Sequence, residues 1–202
     1  MAGAHAYLVG RGVSTPDKIL LTGGSYGGYL TLQALGVRPD LWAAGMGVVA
    51  IADCASIAIS PSITVWKTSS IFCCRLPAGT MMYEDEADTL RGYQRALFKG
   101  SPTEQPEAHA KSSPITYVNH VTAPLLVIQG SNDTRCPPRP MKAYEAKMKA
   151  AGKAIEVQWF EAGHGSGDVA LTIAQQESMM TFAVGILAGA QVPASAVAVA
   201  RL

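Results

Sequence analysis

Lys18-Ile19-Leu20-Leu21-Thr22-Gly23-Gly24-Ser25-Tyr26-Gly27-Gly28-Tyr29-Leu30 is the stretch on which the fold turns. An apolar run rich in β-formers leads into Gly-x-Ser-x-Gly at Gly23, Ser25 and Gly27, and a helical pattern follows over residues 29–35. Strand, sharp turn and helix in that order hold a serine out on a tight corner beyond the end of the strand. A serine on such a corner has strained backbone angles, and its neighbours must be small for strand and helix to approach. The helix N-terminus behind Ser25 favours developing negative charge, and the backbone N–H of Tyr26 is the expected donor to an oxyanion.

Working outward, residues 2–10 read as a short helix, Thr15-Pro16-Asp17 as a turn and residues 18–22 as the strand that enters the corner. Residues 43–52 form a continuous apolar run, the signature of a buried parallel strand, and it ends at Asp53. Residues 54–82 carry many apolar side chains, two charges and no clear period, and are expected to be an inserted cap or loop. Residues 83–98 read as one charged helix, with Leu90, Tyr93 and Leu97 at helix spacing, and 104–111 as a second, broken by Ser113-Pro114. Residues 125–130 form another buried strand that ends in the polar turn Ser131-Asn132-Asp133. A helix over 140–151 closes at Gly152, residues 155–160 alternate as a strand, and Asp168 caps a last helix reaching about residue 187. Strands alternating with helices, with no repeat or linker, predict a single α/β domain over 1–202 with a mostly parallel sheet.

The totals narrow the function classes. The chain has 202 residues, 49% hydrophobic and 15% charged, which is a globular composition able to bury a core. A formal net charge of +1 gives no electrostatic case for nucleic acid or an anionic membrane. Cys54, Cys73, Cys74 and Cys136 form no C-x-x-C pair and are expected to be reduced and structural. The histidines are dispersed without ligand spacing, so no metal and no cofactor is expected. No signal peptide or spanning segment is visible, and a cytoplasmic location is the expectation.

In open parallel sheets, sites form beyond the carboxyl ends of the strands. Ser25, Asp53, Asp133 and His164 each follow a predicted strand, so the sheet gathers them at one edge. His5 precedes the serine, and His109 and His120 lie outside the strand-end loops, which leaves His164, flanked by Gly163 and Gly165. Ser25 is the candidate nucleophile and His164 the base that takes its proton and returns it to the leaving group. Asp133 is the favoured acid to orient the imidazole, with Asp53 as the alternative. Asp85, Asp88 and the glutamates of 84–107 read as a solvated helix face.

Gly23-Gly24-Ser25-Tyr26-Gly27-Gly28-Tyr29, Ser113-Pro114-Ile115, the strand and turn over 124–133, and Gly163-His164-Gly165 together resemble the catalytic domain of the prolyl oligopeptidase (S9) family. The resemblance covers most of residues 5–185. It implies an α/β-hydrolase fold with helices on both faces and Ser25, His164 and Asp133 as its triad. Family members are serine peptidases and acyl-peptide hydrolases, with some esterases close by. Two departures accompany it. The β-propeller that normally comes first is absent, and so are the strands that precede the corner strand, together with the segment carrying the second oxyanion donor. The chain therefore reads as N-terminally truncated, and residues 54–82 as an insertion.

The expected activity is that of a serine hydrolase acting through an acyl-enzyme on small acyl esters or short peptide and amide bonds. The alternative is a catalytically silent fragment serving as a binding or assembly module. A half-sheet leaves the corner strand near an open edge, and a homodimer or higher homo-oligomer is the first expectation for what covers it, with residues 54–82 or the apolar tail 188–202 as the alternatives.

Overall fold

Four parallel strands lie side by side in chain order in the computed structural model, which describes residues 1–54 and 81–189. They are β1 (Leu20–Gly24), β2 (Ala44–Val48), β3 (Leu125–Gly130) and β4 (Ile155–Phe160). Leu20 pairs with Ala44, Gly45 with Leu125, and Leu125 with Ile155, so the carboxyl ends align along one edge of the sheet. β3 is buried along its whole length, as its unbroken apolar run requires of a strand covered on both faces. Among the described residues β1 has a strand on one side only, so its outer edge is open.

Helix α1 (Ala2–Gly10) precedes β1, and α2 (Tyr26–Val37) follows it. Then come α3 (Met81–Asp85), α4 (Asp88–Phe98), α5 (Pro106–Lys111), a 3-10 segment (Pro114–His120), α6 (Pro138–Ala150) and α7 (Val169–Leu187). The main core lies on the face covered by α2, the 3-10 segment and α6. There Leu32, Leu35, Val118, Leu125, Val127, Met141, Tyr144 and Met148 are shielded from solvent together. The opposite face carries α7, where Leu171 and Met179 pack on Val49, Ile128 and Phe160. Asp168 caps α7 as expected, its side chain accepting from the N–H groups of Ala170 and Leu171. Ile173, Met180 and Val184 of this helix remain more than half exposed.

β3, β4 and α1 have the expected bounds, whereas other elements shift for identifiable reasons. The corner strand runs Leu20–Gly24 rather than 18–22, because Pro16–Lys18 forms a 3-10 turn. The strand expected over 43–52 stops at Val48, since Val49 takes a left-handed φ of 45° that leaves the pleat. The single helix expected over 83–98 is two, α3 and α4, because Ala87 is extended at ψ 150° between them. Arg139 of α6 fastens α3, its guanidinium meeting Asp85 at 2.7 Å and Glu84 at 2.8 Å. Of the cap or loop expected over 54–82, all but Cys54, Met81 and Met82 lies outside the described residues, as does the tail from 190.

Candidate active site

Ser25 stands between the last residue of β1 and the first of α2 with φ 54° and ψ −117°. L residues rarely adopt such angles, and two bonds over-determine them. The Ser25 N–H donates to Val48 O at 2.8 Å, and its carbonyl accepts from Tyr29 N at 3.0 Å. Glycine is required at two neighbours for room. A Cβ on Gly23 would lie 2.5 Å from Gly27 C, and one on Gly28 would lie 2.7 Å from Ala50 Cβ. Tyr26 opens α2, so its N–H is one of those the helix leaves unpaired, next to the serine.

The loop after β4 brings His164 back over the corner. Its Nε2 lies 2.8 Å from Ser25 Oγ, and its Nδ1 lies 2.8 Å from Asp133 Oδ2. Asp133 comes from the loop after β3, and its side chain is fully buried. Its Oδ1 accepts from the N–H groups of Arg135 at 2.8 Å and Cys136 at 2.9 Å. A carboxylate that only accepts assigns the proton to His164 Nδ1 and leaves Nε2 to accept from the Ser25 hydroxyl. Three side chains, two of them 31 residues apart and the serine 139 residues from the histidine, thus form one line of hydrogen bonds at the carboxyl edge of the sheet.

The other candidates fall elsewhere. Asp53 is fully buried, but both ring nitrogens of His164 are taken by Ser25 and Asp133. His109 is buried in α5, its ring nitrogens 3.0 Å from Cys54 O and 3.2 Å from Gly100 O. His5 packs edge-on against Trp42. Asp133, Cys136 and His164 hold ligand atoms within 4.8 Å of one another. They suit a metal poorly. The carboxylate and imidazole atoms are already engaged, and burial pushes the Cys136 thiol up to about 12, away from the thiolate a metal binds.

A cavity of about 860 Å³ opens beside Ser25 and His164. Tyr26 and Tyr29 of α2 and Leu90, Tyr93, Leu97 and Phe98 of α4 give it an aromatic and aliphatic wall. Two polar residues that the sequence did not single out, Glu86 and Gln94, also line it. Glu86 corrects the reading of 84–107 as a solvated face: it is 2% exposed, and its Oε2 accepts from Gln94 Nε2 at 3.0 Å. Burial pushes its carboxyl up to about 7, against smaller opposing effects of the Gln94 bond and the Arg91 charge. The break between α3 and α4 at Ala87, which the helix-spaced sequence does not show, turns Glu86 inward.

A parallel sheet with this corner serine and this strand-end histidine defines the α/β-hydrolase fold, and solved structures agree. Puromycin hydrolase aligns with a TM-score of 0.73 at 22% identity, over 95% of this chain and 26% of that one. Acylaminoacyl peptidase from Pyrococcus horikoshii aligns at 0.70 and 25%, over 89% of this chain and 26% of that one. A sequence model of the Prolyl oligopeptidase family matches residues 1–73 and 75–190, and the chain belongs to that family. Among curated relatives, dipeptidyl aminopeptidase BIII of Pseudoxanthomonas mexicana is 29% identical over 163 residues, 80% of this chain and 21% of that protein. The acylamino-acid-releasing enzyme of Arabidopsis thaliana is 25% identical over 160 residues, 79% of this chain and 18% of that protein. The chain thus spans about a fifth of the length of the curated relatives it matches. The family is one of serine peptidases, which supports a hydrolase reading. No described helix is long and apolar enough to cross a membrane.

Proposed function

We propose that this chain is a serine hydrolase in which Ser25, His164 and Asp133 act as a catalytic triad. The observation that carries the reading is the pair of 2.8 Å contacts joining Ser25 Oγ, His164 and Asp133 behind a serine of positive φ. Ser25 Oγ attacks an acyl carbon as its proton passes to His164 Nε2. The tetrahedral oxyanion is held by the Tyr26 N–H at the start of α2. The bond to the leaving group breaks, and that group departs with the proton from His164. Water then repeats the sequence on the acyl-enzyme and frees the acid. Asp133 keeps the imidazole in the required tautomer and stabilises its charged form. The substrates that suit the cavity are small acyl esters and short peptide or amide bonds, with the acyl residue's side chain seated among Tyr29, Leu90, Tyr93 and Phe98.

The test is hydrolysis of a short-chain nitrophenyl ester beside a peptide nitroanilide, with fluorophosphonate labelling of the intact chain and of Ser25→Ala. Labelling and ester turnover that disappear in the variant support the triad, and comparable anilide turnover moves the reading to a peptidase. A folded protein that neither labels nor turns over overturns the hydrolase and leaves a binding or assembly module. The open edge of β1 supports a homodimer as the assembly. A light-scattering mass of one chain at micromolar concentration overturns that.

A further inference from the structure

We infer that Glu86 determines specificity, giving the cavity a preference for an acyl residue with a long apolar stem ending in an ammonium or guanidinium group, lysine or arginine. The inference rests on the proposed function for the identity of the cavity as the acyl-residue pocket, and it names the chemistry that pocket selects.

The argument is a count of hydrogen-bonding atoms. Glu86 Oε1 and Gln94 Oε1 are both buried, and neither finds a hydrogen-bond partner among the described residues. The one bond between the two side chains uses the other oxygen of Glu86 and the amide nitrogen of Gln94. With the carboxyl ionised, what remains is two buried acceptors against one spare N–H, the second of the Gln94 amide, on residues that line the cavity. An orphaned buried acceptor is costly, and two in one place are satisfied together by a group with several N–H donors. An ammonium offers three and a guanidinium five.

Arg91 and Arg139 are committed elsewhere, whereas Arg135 stays in solvent and is not among the charges that reach Glu86. Arg91 sits beside Glu86, but its Nε and one terminal nitrogen donate to the backbone carbonyl of Glu86 at 3.2 and 3.1 Å, and that same nitrogen meets Asp88 at 3.3 Å. Arg135 lines the cavity from the loop after β3 and is exposed. Arg139 is spent on Glu84 and Asp85. The walls suit the rest of such a substrate residue. Methylenes of a lysine or arginine stem pack on Leu90, Leu97 and the rings of Tyr29, Tyr93 and Phe98, and the rings also attract the cation.

The experiment has a kinetic arm and a binding arm. The first compares nitrophenyl esters of Nα-acyl-lysine and Nα-acyl-norleucine, equal in stem and differing in the terminal ammonium. The intact chain should favour lysine in kcat/KM by about tenfold or more, the worth of one charge-assisted hydrogen bond. Glu86→Gln should bring the ratio near unity, and Gln94→Met should lower it less. The second measures calorimetric binding of n-butylguanidine and of 1-pentanol to the Ser25→Ala protein, which needs no turnover. Glu86→Gln should weaken the guanidine about tenfold and leave the alcohol within about twofold. Loss of Ser25-dependent turnover with guanidine binding still dependent on Glu86 sinks the hydrolase and keeps the cation site. Turnover with a lysine-to-norleucine ratio that Glu86→Gln leaves unmoved sinks the cation site and keeps the hydrolase. If Glu86→Gln does not fold, Gln94→Met decides by the same ratio.

Discussion

The two polar clusters bordering the cavity follow opposite plans. In the line Ser25, His164 and Asp133, both carboxylate oxygens and both ring nitrogens are partnered, and two backbone N–H groups hold the acid in place. In the pair Glu86 and Gln94, one hydrogen bond joins the side chains and each keeps a buried oxygen without a partner among the described residues. A fully satisfied network is rigid before any substrate arrives, which is what a proton relay needs. An unsatisfied one is costly to the fold and persists where a ligand completes it. On the proposed reading, the first cluster is the part of the site for reaction and the second the part for choice.

The largest effect expected is at the relay. His164→Ala removes the proton acceptor of Ser25 and should lower kcat for the nitrophenyl ester by about ten-thousandfold or more, with the far-ultraviolet spectrum unchanged. A loss of only a few-fold would break the contrast, since the satisfied cluster would then be mere packing. Asp133→Asn keeps an oxygen for the Arg135 and Cys136 N–H groups and removes the acceptor that fixes the tautomer. The expected loss is about a thousandfold to ten-thousandfold in kcat. Small loss there would return the role to Asp53, whose own conversion to Asn should otherwise leave kcat per folded molecule nearly unchanged.

A smaller effect is expected where the backbone carries the serine. Gly28→Ala drives a Cβ to 2.7 Å from Ala50 Cβ and 3.0 Å from Ala50 Cα, neither of which has a flexible end to move. Overpacking of this kind costs about 1 to 3 kcal/mol, read from the midpoint of urea unfolding. Gly27→Ala has nothing within 4 Å of its new Cβ and lies in α2, so it should leave stability unchanged or raise it by up to about 1 kcal/mol. Equal destabilisation by both would show that helix entry rather than contact with Ala50 limits this corner.

The same contrast explains what could be read from sequence. The relay was legible because each member is tied to a strand end. β3 and β4 have unbroken apolar or alternating patterns with polar turns after them, so Asp133 and His164 are placed by strand order alone. Gly23 adds a steric constraint at the corner, since a Cβ there would meet the Gly27 backbone. Glu86 has neither support. Its inward aim depends on a single extended residue, Ala87, and on the grip of Arg139 on α3, a contact 54 residues away in sequence. In a charged segment with helix spacing, the default reading of an acid is a solvated one. β2 was overread for a similar reason: an apolar run cannot show that Val49 leaves the pleat at φ 45°.

The smallest effect reads the cost of the unsatisfied cluster itself. The Glu86 carboxyl is raised in the folded chain from 4.5 to about 7, chiefly by burial. Below pH 4.5 it holds its proton folded or unfolded, and its full contribution to stability is present. As pH rises toward 7 the unfolded chain releases the proton and the folded chain keeps it, so stability falls. Above 7 the folded carboxyl is ionised as well, and that contribution is gone. The groups its charge reaches are Gln94 and Arg91 on α4 and the thiols of Cys54 and Cys136, which burial keeps protonated over this range. Glu86→Gln cannot ionise and escapes the loss. It should equal the parent in unfolding free energy below pH 4.5 and exceed it at pH 8 by about 1 to 2 kcal/mol, under a ceiling of about 3 set by the full rise in pKa. A difference independent of pH would mean that the carboxyl of Glu86 is ionised without strain in the folded chain. The two clusters would then differ in partners but not in cost.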